Sequence, residues 1–312
     1  MAEFIHIPVL LEACMEGLNI RPDGVYVAGT LGGGGHSAEI LGRLSDKGRL
    51  IGIDRDDTAL AAAGERLAAF GSRFIPVKSN FSEIAAVVRS FGFSRVDGIL
   101  FDFGVSSPQL DDETRGFSYK GTAPLDMRMD RTQPLDARQV VNEWERDELK
   151  RIFYEYGEER YAGPVAAAIV RRREQAPIVR TDELVEIIKS ALPAKARRED
   201  QHPARRVFQA IRIAVNGELE AIARAIPDGV ELLKPGGRIA AISFHSLEDR
   251  IVKTAFSRLE TGCECPPDFP VCVCGKKPVV RRVTKKPVVA DEEEAQRNPR
   301  ARSAKLRVAE KL

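Results

Sequence analysis

Residues 24–41, GVYVAGTLGGGGHSAEIL, join a short apolar run to four consecutive glycines and then to a stretch with a helical pattern. A glycine-rich turn between a first strand and a helix lets a ligand approach the backbone, and the helix N-terminus favours negative charge. The frame Gly33-x-Gly35-x-x-Ala38 satisfies the permissive dinucleotide-binding pattern, and Asp54 ends the next apolar run, where a carboxylate can bind ribose. These residues predict a Rossmann-like unit that binds an adenosine-containing cofactor. They leave NAD, FAD and S-adenosylmethionine open.

Apolar strand candidates alternate with helical patterns over the first hundred residues, which predicts right-handed crossovers and a parallel sheet. After a loop-like stretch only helical patterns follow, one of them a long run over 202–226. The α/β pattern then resumes with a fifth strand. We predict an α/β domain formed by 1–112 and 218–312, with an all-helical domain, 113–217, inserted into it. The predicted strands lie within 25–30, 49–54, 73–80, 96–104 and 232–246.

Composition narrows the class of protein. The N-terminus lacks the basic region and cleavage site of a signal peptide, and no apolar run approaches the roughly 20 residues needed to span a bilayer. We therefore expect a soluble, cytoplasmic protein without membrane contact. The net charge is only +2, but the segment from Lys276 to the C-terminus holds twelve Lys or Arg against five Asp or Glu. Such a locally basic surface is typical of a protein that binds a phosphate backbone.

The end of the fourth predicted strand carries a carboxylate, Asp102, followed by a Ser-Ser-Pro turn. Open α/β sheets bind ligands at this carboxyl edge. An acceptor here suits transfer of a methyl group to an amine, because it can orient the nitrogen lone pair towards the methyl carbon. Asp102 is therefore our candidate catalytic residue. The alternative is that Asp102 merely caps the turn that follows it.

Several longer motifs carry a resemblance. They run from His6 to Arg307 and include YVAGTLGGGGHS (26–37), DFGVSSPQLDD (102–112), APLDMRMD (123–130) and KPGGRIAAISFHSLEDRIVK (234–253). Together they resemble the bacterial MraW/RsmH family. The resemblance implies a class I methyltransferase (Rossmann-like) fold with an inserted helical domain, and S-adenosyl-L-methionine as cofactor. It also implies methyl transfer to N4 of a cytidine in the decoding (P-site) region of 16S rRNA within the small ribosomal subunit. A homodimer stays open.

The resemblance also implies the cofactor contacts. The glycine turn would hold the methionyl portion, an acid would bind ribose, and an aromatic ring would face the adenine. We expect a side chain at Gly34 to fill space that the ligand needs. The implied cofactor-binding residues are Gly34, Gly35, His36, Asp54, Phe81, Asp102 and Gln109.

One position departs from the family pattern. Ala28 stands where the family usually has aspartate, which in class I methyltransferases faces the methionine end of the cofactor. Alanine cannot provide that contact. We therefore expect weaker cofactor binding, and we expect the change Ala28→Asp to tighten it.

The late cysteines form the pattern Cys263-x-Cys265-x6-Cys272-x-Cys274. Four thiolates could hold zinc, but structural zinc sites usually have two residues between paired cysteines. The intervening prolines also stiffen the loop. The spacing therefore favours reduced thiols, and the sequence predicts no metal site.

Basic residues in the helical region and tail are candidate RNA contacts, because arginine binds phosphate and stacks on splayed bases. His245, at the end of the fifth predicted strand, is a further candidate for substrate contact. The candidate arginines are Arg115, Arg128, Arg131, Arg205 and Arg206, together with the NPRARSAK tail.

Two other functions compete. A non-catalytic ribosome-assembly factor would explain Ala28, and an NAD-dependent dehydrogenase would explain the glycine pattern and Asp54. The dehydrogenase leaves DFGVSSPQ unexplained, and the sequence offers no evident hydride-transfer acid.

Overall fold

The computed structural model describes residues 8–198, 202–263, 265, 271 and 273–312. Contacts divide the chain into two compact units, one formed by Met1–Gly104 with Leu219–Leu312 and the other by Val105–Glu218. The second unit begins at Val105, before the boundary at 113 that the sequence suggests. The earlier boundary follows from the local fold, because the turn after the fourth strand already packs with the helices.

A seven-stranded sheet lies in the first unit, in the order β3-β2-β1-β4-β5-β7-β6. The first five strands of this order are parallel, and β7 is antiparallel to both of its neighbours. This arrangement confirms the predicted α/β fold of the class I methyltransferase type. The strands are β1 (Val25–Ala28), β2 (Arg49–Asp54), β3 (Phe74–Lys78), β4 (Val96–Asp102), β5 (Leu233–Ser243), β6 (Val280–Arg282) and β7 (Lys305–Lys311).

The central strands are apolar because both faces of the sheet are covered. Leu100 of β4 joins one apolar cluster, whereas its neighbours Ile99 and Phe101 join another. Successive strand residues point to opposite faces, so a strand buried on both faces is apolar at nearly every position. The exception in β4 is Asp97, which is buried and accepts hydrogen bonds from Val25 N and Lys234 Nζ. This explains why the run VDGILF is buried from its first residue to its last. The carboxyl ends of β1, β2 and β4 consequently meet at one polar edge.

The described residues form thirteen α-helices. Asp56 caps the third of them, since its side chain accepts a hydrogen bond from Thr58 N at 3.0 Å. The helices are α1 (Leu11–Leu18), α2 (Gly35–Arg43), α3 (Asp57–Leu67), α4 (Ile84–Ser90), α5 (Ser107–Asp111), α6 (Ala137–Glu143), α7 (Arg146–Glu155), α8 (Ala162–Arg173), α9 (Thr181–Ala191), α10 (Arg205–Asn216), α11 (Glu218–Leu232), α12 (Ser246–Glu260) and α13 (Glu292–Arg297).

The helical pattern over 202–226 is not one helix. Gly217 adopts the left-handed conformation, with φ of 59°, and separates α10 from α11. Its N–H bonds to Ile213 O, a helix C-terminus that glycine favours because it has no Cβ to strain there.

The second unit is built from helices around its own apolar core, with members such as Phe153, Ile169 and Ile211. A buried amide attaches its long loop to α10. Asn216 donates from Nδ2 to Met127 O at 2.7 Å and accepts at Oδ1 from Met129 N at 2.9 Å. The loop that carries APLDMRMD is therefore held by backbone hydrogen bonds to this side chain.

Candidate active site at the carboxyl edge of the sheet

The glycine turn connects β1 to α2 and uses the conformational freedom of two of its residues. Gly32 and Gly34 have φ of 52° and 76°, in the left-handed region that other residues rarely adopt. Gly34 is the residue that precedes α2, so the first turn of that helix begins directly at Gly35. The turn therefore points the N-terminus of α2 towards the polar edge of the sheet, as an anionic or carboxylate ligand requires.

Only some of these glycines face open space. A Cβ on Gly34 would lie 3.3 Å from side-chain atoms of Ala63 and Leu67, and one on Gly35 would lie 2.5 Å from Pro8 Cγ. A Cβ on Gly32 or Gly33 would meet nothing within 4 Å. The expectation that a side chain at Gly34 would fill ligand space is thus wrong, because it would meet Ala63 and Leu67. A backbone contact from Gly34 or Gly35 to the cofactor stays a prediction. Gly34 and Gly35 are small because the protein packs against them.

Asp54, at the end of β2, supports this turn. Its Oδ2 accepts a hydrogen bond from Gly32 N at 2.8 Å, and its Oδ1 accepts one from Asp56 N at 2.9 Å. Burial raises the pKa of Asp54 above its usual value, and the backbone N–H groups of Asp56 and Gly32 oppose that rise. Each carboxylate oxygen keeps a second lone pair, so Asp54 can still accept a hydrogen bond from a ribose hydroxyl.

We expect Asp54→Ala to weaken S-adenosylmethionine binding by about 1.5–3 kcal/mol, roughly ten- to 150-fold. The variant loses the ribose acceptor and also the acceptor that holds Gly32. Asp54→Asn keeps one acceptor oxygen and should lose less. Titration calorimetry on both variants measures the difference, and unchanged affinity in Asp54→Ala would remove Asp54 from the site.

The imidazole of His36 lies at the start of α2 and is engaged by the protein. Its Nε2 is 2.9 Å from Val9 O, and its Nδ1 is 3.7 Å from Asp102 Oδ2. A neutral ring that donates from Nε2 to the carbonyl has Nδ1 unprotonated. The contact with Val9 O therefore fixes the ring beside the chain that precedes α1, and we assign the cofactor contact to the backbone of His36.

Asp102 ends β4 with a carboxylate that the fold has not fully satisfied. Its backbone N–H donates to Thr30 Oγ1 at 2.6 Å, which fixes the end of the strand. Among the described residues its Oδ1 is buried and has no hydrogen-bond partner. The side chain as a whole is 29 % exposed, so a ligand can reach its exposed part, whereas Oδ1 lies on the buried side. An unsatisfied buried acceptor costs free energy unless a donor arrives.

A second carboxylate, Glu248, is fully buried near Asp102. Its Oε2 accepts from Phe244 N at 2.7 Å and from His245 N at 3.3 Å, and its Oε1 lies 3.0 Å from His245 Nε2. Burial and then the charge of Glu248 raise the pKa of Asp102 to about 7. Asp102 can therefore exchange a proton near neutral pH, as a general base should.

Glu248 is not among the site residues predicted from the sequence. Its signal was the spacing in HSLE, where a carboxylate three residues after a helix-capping position can bond back to the backbone. His245, a candidate for substrate contact, packs instead beside Glu248 at the start of α12.

The aromatic residue Phe81 follows β3 and is half-buried. Its ring centroid lies 5.8 Å from that of Phe101 and 5.5 Å from that of Phe103. These rings fix the orientation of Phe81 and leave part of it exposed, which suits an aromatic contact with a purine.

Gln109 lies in the second unit and contacts another residue of that unit. Its side-chain Oε1 accepts from Ser106 N at 3.0 Å, and its backbone N–H donates to Ser106 Oγ at 3.4 Å. This reciprocal pair caps α5. The side chain of Gln109 is thus already engaged in shaping the turn after β4.

Ala28 is 2 % exposed and belongs to an apolar cluster with Cys14 and Met15. It pairs with Leu100 across the sheet, and Asp102 stands two residues further along β4 on the same face. A carboxylate at position 28 would therefore be desolvated and close to a second acid.

We expect Ala28→Asp to lower the free energy of unfolding of the cofactor-free protein by about 1–3 kcal/mol. If the new carboxylate reaches the methionine ammonium, that cost is relieved on binding, and S-adenosylmethionine should bind five- to a hundredfold tighter. Thermal unfolding with and without cofactor, together with calorimetry, measures both effects. Equal affinities in the two proteins would show that no acid is needed at this position.

The candidate RNA-binding arginines differ in how exposed they are and in whether the protein itself already binds them. Arg115 is 3 % exposed and donates from Nη2 to Arg128 O at 2.8 Å and to Met129 O at 3.1 Å, so it is a structural residue. Arg128 forms a 2.8 Å ion pair with Asp126. In the tail, Arg307 is buried against Asp249 at 2.7 Å. Arg131, Arg205 and Arg302 are exposed, Arg206 and Arg300 are half-buried, and all five stay candidates.

The profile of the MraW methylase family matches residues 3–312. The chain belongs to this family. It is 59 % identical over 309 residues to ribosomal RNA small subunit methyltransferase H of Symbiobacterium thermophilum, with 99 % of this chain and 97 % of that protein covered. It is 55 % identical to the protein of the same name from Brevibacillus brevis, over 99 % of this chain and 98 % of that one.

Among solved structures, an rRNA methylase from Streptococcus thermophilus is similar with a TM-score of 0.43 at 12 % identity, over 99 % of each chain. TrmN from Thermus thermophilus is similar with a TM-score of 0.44 at 14 % identity, over 97 % of this chain and 48 % of that one.

The cofactor of this methylase is S-adenosylmethionine, and the residues at the polar edge suit it. The open space beside Gly32 and Gly33 admits a ligand, Asp54 offers acceptors for ribose, and the carboxylate of Asp102 is partly exposed at the end of β4. In the described part of the chain, no helix has the length and apolar character required to cross a membrane.

Proposed function

We propose that this chain transfers the methyl group of S-adenosylmethionine to N4 of a cytidine in the decoding region of 16S rRNA. Relatives that are 53–59 % identical carry the name ribosomal RNA small subunit methyltransferase H, which supports an rRNA substrate. The observation that carries the amine target is Asp102, a reachable acceptor at the end of β4 whose Oδ1 lacks a partner and whose pKa is about 7.

The cofactor supplies a sulfonium-activated methyl group. Asp54 would hold the ribose, the N-terminus of α2 and the backbone of His36 would bind the methionyl carboxylate, and Phe81 would contact the adenine. These residues align the methyl carbon in front of the incoming nitrogen, and alignment of this kind accounts for much of the rate of a displacement.

Asp102 acts on the target amine. It accepts a hydrogen bond from one N4 hydrogen, which turns the nitrogen lone pair towards the methyl carbon. As the nitrogen–carbon bond forms and the sulfur–carbon bond breaks, the nitrogen must release one proton, and Asp102 accepts it. Glu248 raises the proton affinity of Asp102 and so prepares it for this step. The cytidine has to leave its base stack to reach this edge.

We expect the purified protein to methylate small-subunit particles in the presence of S-adenosylmethionine. Nuclease digestion and mass spectrometry of the RNA should reveal N4-methylcytidine, and a reaction without cofactor is the control. Methyl groups on C5 or on O2′ would contradict the amine assignment of Asp102. Modification of naked 16S rRNA alone would place the substrate before subunit assembly.

The non-catalytic assembly factor has one observation in its favour, the alanine at position 28. Calorimetry separates the two functions, because the enzyme must bind S-adenosylmethionine and the factor need not. The dehydrogenase is set aside, since the chain belongs to a methylase family. Binding of NAD in the same titration would reverse that conclusion.

A further inference from the structure

The loop between α12 and β6 brings together three cysteines that the methyl-transfer chemistry does not use. The Sγ atoms of Cys263, Cys265 and Cys274 all lie within 4.8 Å of one another. Cys265 is half-buried and the other two are exposed. The C-x-C spacing argued against such an arrangement, yet these sulfurs converge. Cys272 lies outside the described residues.

The sulfur–sulfur distance matches a shared metal ion. Cys274 Sγ is 3.8 Å from Cys263 Sγ. Two thiolates bound to a tetrahedral zinc at about 2.3 Å stand about 3.8 Å apart, whereas a disulfide requires about 2.05 Å. The two sulfurs are therefore placed as ligands of one ion, and they are not bonded to each other.

Backbone N–H groups point at two of the sulfurs. Cys265 N donates to Cys263 Sγ at 3.3 Å, and Val273 N donates to Cys265 Sγ at 3.4 Å. Hydrogen bonds of this kind stabilise negative charge on sulfur and fix the orientation of a metal ligand. With these hydrogen bonds, the sulfurs of Cys263 and Cys265 can face the same side although only one residue separates the two cysteines.

The base of the loop is closed. Val279 N donates to Leu259 O at 2.8 Å, and Arg282 N donates to Glu260 Oε1 at 2.9 Å. The two ends of the loop between α12 and β6 are therefore hydrogen-bonded to each other. A metal ion held by Cys263, Cys265 and Cys274 would cross-link the loop beyond this closed base.

We propose that Cys263, Cys265 and Cys274 bind a zinc ion that fixes the loop between α12 and β6. Three thiolates that converge within 4.8 Å select zinc over magnesium or calcium, which prefer oxygen ligands. Each thiol releases its proton as its sulfur binds, and no oxidation or reduction is involved. A fourth donor completes the tetrahedron.

The test uses the full-length chain, purified with a reducing agent and without chelator from zinc-supplemented medium. Elemental analysis should find about one zinc per chain. Cys263→Ser and Cys274→Ser should each reduce the zinc content several-fold, whereas Cys14→Ala, which removes the buried thiol in α1, should retain it. Cobalt added to the zinc-depleted protein should produce thiolate-to-cobalt absorption bands that both serine variants lack.

Circular dichroism and S-adenosylmethionine binding establish that the serine variants are folded, because the cofactor residues lie elsewhere. Zinc retained by both serine variants would overturn the proposal. So would a wild-type protein that contains no zinc and produces no cobalt bands. A Cys263–Cys274 disulfide in the freshly purified protein, found by mass spectrometry without reduction, would replace the metal site by a redox pair.

Discussion

Replacing Asp102 by asparagine should lower the methyl-transfer rate by about 10²–10⁴, the contribution that a positioned general base makes. Asparagine has nearly the same shape and keeps one acceptor oxygen, but it cannot take up the proton that the amine releases. Single-turnover methylation of small-subunit particles measures this loss. Asp46→Asn, at an exposed site beside the turn that leads into β2, is the matched control and should leave the rate unchanged.

The pH profile distinguishes a proton acceptor from a residue that only binds. Asp102 must be deprotonated to act, and its pKa is about 7. The wild-type rate should therefore rise about tenfold per pH unit below 7 and level off above it. Asp102→Asn should lose this dependence. If Asp102→Asn still showed the same rise in rate below pH 7, the proton acceptor would be another group.

The same substitution should stabilise the fold. In the folded protein the pKa of Asp102 is about 7, whereas the ordinary pKa of an aspartate is 3.8. Between these two pH values the folded state therefore binds more protons than the unfolded state. Stability therefore falls as the pH rises through this range, and the penalty is complete above it. At pH 8 we expect Asp102→Asn to be more stable than the wild type by about 1–3 kcal/mol, allowing for partial exposure. Reduced activity with a higher melting temperature would exclude misfolding as the cause.

Gly33→Val should abolish cofactor binding, with at least a hundredfold rise in Kd, or about 2.7 kcal/mol. A side chain at Gly33 meets nothing in the protein within 4 Å, so it would occupy the space left for the ligand. The backbone of Gly33 is not in the left-handed region, and valine can adopt its conformation without that strain. Calorimetry with S-adenosylmethionine and with S-adenosylhomocysteine measures the loss.

Gly42→Val is the matched control, because Gly42 lies in α2 and is equally open. Its cofactor affinity and melting temperature should stay close to those of the wild type. Gly34→Val is a contrasting case, since a positive φ and contact with Ala63 and Leu67 should destabilise the fold itself. Wild-type affinity in Gly33→Val would mean that the cofactor does not pass beside this residue.

Local patterns were sufficient where the physical cause is local. The glycine run predicted the turn before α2 because only glycine adopts the left-handed conformation there without strain. The position of Asp56 before the alanine-rich segment is typical of a helix cap, and its side chain accepts from Thr58 N. The run VDGILFD predicted a strand buried on both faces, and the chain places it at the centre of the sheet. The family resemblance supplied the residues that no single motif would have joined.

Other features depend on contacts between distant parts of the chain. The pairing of β7 with both β5 and β6 has no signal in the pattern of short, mixed segments near the C-terminus. The long helical pattern did not reveal its break, because Gly217 inside such a pattern is often tolerated. The sequence predicts Arg115 as an RNA contact, but its guanidinium donates to two backbone carbonyls of its own unit.

The sequence by itself determined that this chain forms a Rossmann-like methyltransferase sheet, and it placed an acid at the end of each of two strands, Asp54 and Asp102. Periodicity and turn chemistry encode such features within a few residues. Only the tertiary structure decided how those acids differ: Asp54 is held by backbone N–H groups, and Asp102 is buried near Glu248 and keeps an unsatisfied oxygen. Glu248 lies 146 positions after Asp102 in the sequence (248 − 102). Burial and charge act through space, so the proton affinity of a side chain is set by neighbours that the sequence does not place beside it.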